Sequence, residues 1–175
     1  MASFLYYIIE PVKHFKNHTM KKDIKKTIEV LNDLIKINND RIAGYEKAKT
    51  EIAASEGDLI TLFTEMIAQS RNFLGQLRSE VLTNDGELSS GTTFMGKIYR
   101  SWMDVKATFS GNDRQSILNA CEFGEDAAQK AYEMANDERE VTEQAISLIL
   151  LQRRELRNSH NKIKQYKDEK TISSL

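Results

Sequence analysis

Proline is almost absent from this chain of 175 residues: Pro11 stands alone, and residues 12–175 hold none. Proline breaks helices and populates loops, so a long proline-free stretch fits long helices joined by short turns. Cysteine is as scarce. The single Cys121 excludes an intramolecular disulfide and fits a reducing compartment. No run approaches the roughly 18 apolar residues of a membrane span, and Phe4–Ile9 is too short to cross. A secretory signal would place positive charge ahead of its apolar run and small residues behind it; here the lysines follow the run. Together these absences point to the cytoplasm. Neither sign of charge dominates, and a net charge of −1 gives no general attraction to nucleic acid or anionic lipid.

What is present is ordinary for a globular protein: 40% apolar and 29% charged residues. A chain of this length can bury roughly two-thirds of its unfolded surface in one domain. Residues 1–19 differ from the rest. They hold the proline, His14 and His18, and a small aromatic cluster. They read as an N-terminal extension, added from an upstream start, with a short amphipathic anchor as the functional alternative. Residues 20–170 read as the folded domain.

Within that domain the apolar residues recur at the three- and four-residue steps of helix faces. The first stripe, expected from Asp23 to Ala54, is Ile24, Ile28, Leu31, Ile35, Ile42, Tyr45 and Ile52. The second, about Asp58 to Leu82, is Leu59, Phe63, Met66, Phe73, Leu77 and Val81. The turn between them, Ser55-Glu56-Gly57-Asp58, allows only antiparallel neighbours. A shorter helix is expected over 93–109, with Phe94, Ile98, Trp102, Val105 and Phe109 on one face. The third long helix should begin with Asn112 as cap and Gln115 completing a capping box. Its face is Ile117, Cys121, Gly124, Ala128, Ala131 and Ala135. The fourth should be capped by Asp137 with Glu140 and reach Lys167, through Val141, Ala145, Ile149, Leu156 and Ile163. His160 lies on the same face.

Each long stripe is interrupted near its middle by a polar residue: Asn38, Ser70 (with Gln69 beside it), Glu125 and Gln152. If the helices bundle, these four should meet in one buried layer. Tyr45, Tyr132 and His160 are expected to send polar atoms into it. Amides both donate and accept, and Glu125 can pair with Arg41 or Arg71 if either reaches inward.

Several segments now support a family. Leu31–Tyr45, Ala68–Phe73, Ser101–Lys106, Cys121–Ala127 with Tyr132, and the His160 segment resemble a bacterial ferritin-like four-helix-bundle family of unknown function. The likeness covers about residues 20–167. It implies an all-α, ferritin-like four-helix bundle, with the 93–109 helix as an extra element in the long connection between the second and third bundle helices. It supplies no substrate. By superfamily analogy it implies a setting in bacterial stress physiology.

Ferritin-type dimetal centres take a glutamate from each of two helices and Glu-x-x-His from each of the other two. The second helix offers Gln69-Ser70-Arg71-Asn72 and has no histidine; the fourth offers Arg157-Asn158-Ser159-His160. Arginine thus stands where a bridging acid is needed. Cys121 among small apolar residues reads as an inert buried thiol. His14 and His18 are four apart and can share a helix face, but no third ligand is near and Lys13 and Lys16 oppose a cation. Lysines 13, 16, 21, 22, 25 and 26 would give salt-dependent phosphate contacts; the near-neutral total favours a solubilising tail. The expectation is a non-catalytic bundle acting by association, without a cofactor. A homo-oligomer is compatible with it, no protein partner is identified, and nucleic acid is not expected. The alternative is a metal-binding or iron-oxidising bundle with a non-standard site.

Overall fold

A computed structural model describes the backbone of residues 6–89 and 113–172, and the side chains of 23–89 and 113–169. Four α-helices make up the described chain: α1 (Tyr6–Glu51), α2 (Gly57–Thr83), α3 (Arg114–Asn136) and α4 (Glu143–Ile172). The expected helix over 93–109 lies outside the described residues.

Two antiparallel hairpins, α1–α2 and α3–α4, pack face to face, with α1 against α3 and α2 against α4. Side-chain pairs fix the directions. Arg114, at the start of α3, pairs with Glu56 and Asp58 at the start of α2. Thr142, just before α4, donates its backbone N–H to Thr27 Oγ1 of α1 at 2.9 Å. Thus α2 and α3 start at the same end and run the same way. The end of α2 and the start of α3 therefore lie at opposite ends of the bundle, about 40 Å apart for the 27 residues of α2 at 1.5 Å each.

Just past α2, the chain lies across α1. Asn32 Nδ2 donates to Glu87 O, and Ser89 N donates to Asn32 Oδ1, both at 3.0 Å. Val30, Leu31, Asn32, Asp33, Leu34 and Ile35 are all buried. Six consecutive residues exceed one helical turn, so α1 is covered on every side there.

The helix ends depart from the sequence reading in three places. α1 is one helix from Tyr6, so neither Pro11 nor the expected domain boundary near residue 20 is a helix boundary. Proline forgoes one backbone hydrogen bond, and here the helix continues past it. The cap of α3 is Asp113, not Asn112: its Oδ1 accepts from Ser116 N at 3.0 Å, the geometry of a side chain satisfying an orphan first-turn N–H. Asp137 closes α3 rather than opening α4, its N–H donating to Glu133 O. Thr142 stands at the start of α4, and its Oγ1 accepts from Ala145 N at 3.4 Å.

The C-terminus of α2 is closed by Asp85 in the left-handed region at φ 54°. Gly86 N donates to Val81 O at 2.9 Å and Asp85 N to Leu82 O at 3.0 Å, the paired bonds of a Schellman ending. Gly86 is required by crowding. A Cβ there would lie 2.7 Å from Ile28 Cγ1 and 2.9 Å from Val81 O.

The core has two parts. One is built from Val30 to Ile37, Phe73 to Val81, Ala128 to Ala135 and Ala145 to Leu156. The other is built from Tyr45 to Ile52, Leu59 to Ile67, Ile117 to Cys121, and Ile163. Polar residues lie where the two meet. No described helix is long and apolar enough to cross a membrane.

Candidate functional site: the polar layer of the bundle

Asn38, Ser70, Glu125 and Gln152 are all buried, each at most 1% exposed. They form two hydrogen-bonded groups rather than one layer, about a turn apart along α1. The first group is neutral. Asn38 Nδ2 donates to Tyr132 OH at 2.7 Å and to Leu34 O at 2.9 Å. Tyr132 OH donates to Gln152 Oε1 at 2.8 Å. Gln152 Nε2 donates to Gln76 Oε1 at 2.8 Å. One chain of bonds thereby links α1, α3, α4 and α2. Burial holds the Tyr132 hydroxyl well above its usual pKa, against the opposing effect of the Asn38 hydrogen bond.

The second group is ionic. Arg41 Nε donates to Glu125 Oε1 at 2.7 Å, and Arg41 Nη1 to Ser70 Oγ at 2.6 Å. Tyr45 OH donates to the same carboxylate oxygen at 2.6 Å. The Arg41 guanidinium also lies 5.4 Å from the Tyr45 ring centroid, within cation–π range. Side-chain exposure is 3% for Arg41 and 1% for Glu125. Burial alone would lower the arginine pKa; the Glu125 charge and hydrogen bond outweigh it, and the net direction is up. Tyr45 is raised by burial first and then by the same carboxylate. Cys121, also buried, is pushed up by desolvation and by Glu125, which keeps its sulfur a thiol.

Two buried acceptors, Glu125 Oε2 and Asn38 Oδ1, accept nothing from the described residues. A buried polar atom without a partner costs roughly 1–3 kcal/mol, so both are weak points of the core.

Arg71 does not reach Glu125; it pairs with Glu46 at 3.1 Å on the exposed surface. His160 is not part of the buried layer. It is half-buried at the edge of the α3–α4 seam, with Nε2 2.9 Å from Asp126 Oδ1. Ser159 takes the inward position and donates to Gln69 Oε1 at 2.9 Å. The step from Leu156 to Ile163 can be filled at either three or four residues, and packing against α2 selects 159. Sequence reasoning passed over Gln76 and gave Arg41 only a conditional place. Gln76 carried no signal, since it sits beside the Phe73–Leu77 stripe. Arg41 did carry one: it lies three residues beyond Asn38 on the same face.

Chemically the layer offers one carboxylate, one guanidinium, phenols and amides. Arg41 places a fixed positive charge against the only carboxylate in these two networks, where a cation would have to bind. Among the described residues, no group of three or more His, Cys, Asp or Glu is arranged to hold a metal.

The family model described as a domain of unknown function (DUF2383) matches residues 26–138, and the chain belongs to that family. The match takes in Asn38, Arg41, Tyr45, Ser70, Glu125 and Tyr132 and leaves Gln152 outside. No curated protein matches the chain.

Proposed function

We propose that this protein is a non-catalytic, ferritin-like helical bundle that acts by association, in the bacterial stress setting its resemblance implies. One observation carries the reading: the one buried carboxylate of the layer is opposed by a buried guanidinium. The Arg41–Glu125 pair, Ser70 and Tyr45 close a single ion-pair network. A dimetal centre needs a surplus of carboxylate and imidazole; this network has one acid, already opposed by a guanidinium. Such buried polar arrangements can set helix register, at some cost in stability.

The metal-binding alternative has one observation in its favour, the Glu125 Oε2 atom without a protein donor. Both readings meet in one measurement. Protein incubated with ferrous iron or zinc and then desalted should hold less than one tightly bound ion per chain. Two ions per chain, lost on Glu125→Gln and on His160→Ala, would establish the metal reading instead.

A further inference from the structure

The bundle and α1 do not end together. Gly86, just past α2, packs on Ile28. Glu138, just past α3, pairs with Lys26. Thr142, just before α4, bonds to Thr27. All three neighbouring helices therefore stop level with residues 26–28 of α1, yet α1 begins at Tyr6. The backbone of Tyr6–Lys22 continues as helix beyond the end of the bundle, for about 25 Å at 1.5 Å per residue.

The sequence of this arm is of a particular kind. Ile8, Val12 and Phe15, with Ile9 beside them, recur at helical spacing in the sequence, and Glu10, His14 and Asn17 fall at the positions between them. Four lysines (13, 16, 21 and 22) stand with one acid, Glu10, in residues 6–22, in a chain whose total charge is −1. The arm is basic and amphipathic; the remainder of the chain is acidic.

We infer that this arm docks on an anionic lipid surface, lying in the headgroup plane. The inference rests on the association reading and names the partner. Basic amphipathic helices bind at the interface through apolar residues at the acyl boundary and lysines against the phosphates. A second copy of the chain is a poorer occupant, because two arms with the same excess of lysine repel. Nucleic acid would use the lysines but leave the isoleucines, Val12 and Phe15 in water.

The test is co-sedimentation of the full chain with vesicles. One set is phosphatidylcholine alone; the other carries about a third phosphatidylglycerol, an anionic surface of the required kind. Partition onto the anionic vesicles should be at least about tenfold stronger and should weaken with salt. Ile8→Asp with Ile9→Asp should abolish it, and so should Lys13→Glu with Lys16→Glu, Lys21→Glu and Lys22→Glu. Thermal unfolding unchanged from the parent serves as the folding control for both variants. Equal binding to both vesicle types, or no binding, would overturn the inference. So would duplex DNA binding that survives the isoleucine changes, or a dimer that those changes abolish without vesicle binding. Any such failure is distinct from a failure of the reading it rests on, because ion content after desalting is measured without vesicles.

Discussion

Replacing Arg41 by methionine isolates the cost of the central ion pair. The substitution keeps a long unbranched side chain in the space but removes the cation. Glu125, 1% exposed, would then keep only the Tyr45 hydroxyl on Oε1 and still have no partner on Oε2. Ser70 loses Arg41 Nη1 but can turn its hydroxyl to a carbonyl of its own helix, so that loss is minor. Breaking a buried pair from one side costs about 3–5 kcal/mol. For a domain of this length each kcal/mol moves the melting temperature by about 2–4 °C, giving a drop of roughly 6–20 °C. Adding Glu125→Leu removes the stranded charge. The double variant should return to within about 1–2 kcal/mol of the parent or exceed it, because desolvation of the two ions offsets most of their attraction. Urea unfolding followed by circular dichroism, run on both single variants and the double, gives the cycle. An Arg41→Met loss below about 1 kcal/mol, or a double variant whose cost equals the sum of the singles, would refute the claim that these charges are desolvated and coupled.

Gly86→Ala should destabilise by about 1–3 kcal/mol, since its Cβ would meet Ile28 and the Val81 carbonyl; calorimetry on that variant checks it, and an unchanged melting temperature would show that the turn relaxes freely. A chain beginning at Met20 should keep its bundle helicity and melt within a few degrees of the full chain, because the ion pair and hydrogen bond that tie α1 to the turn before α4 are made by Lys26 and Thr27; a large drop would make residues 1–19 part of the folded domain. The Asp58 carboxyl is held below its usual value by its hydrogen bonds from Arg114, and Asp113 by those from Ser116. Folded-state values below the unfolded ones mean stability that is fully present above about pH 4 and lost as the pH falls further; a pH series of melts on Asp58→Asn should lose part of that acid slope.

Much of the architecture could be read from the chain because helix periodicity is local. Ile24 to Ile52 and Leu59 to Val81 announce faces that must be buried, and the short Ser55–Asp58 turn forces the first two helices antiparallel. The interruptions at Asn38, Ser70, Glu125 and Gln152 were legible for the same reason: each breaks a stripe at a spacing the stripe defines. Cap positions were less legible. Asn112 and Asp113 offer the same chemistry one residue apart, and Asp137 can close one helix as well as open the next, so only the path of the backbone separates them.

Which polar residue bonds to which was a matter for the tertiary structure alone. Periodicity gives the angle of a residue about its own helix and says nothing of how two helices slide past each other. A shift of one turn would exchange Arg41 for Asn38 opposite Glu125. The packing puts Asn38 with Tyr132 and Gln152 and brings Arg41 to Glu125 and Ser70. It also turns Ser159 inward and leaves His160 beside Asp126. The sequence determined that polar groups would be buried near mid-bundle; the register between helices decided that they separate into one neutral network and one ionic one.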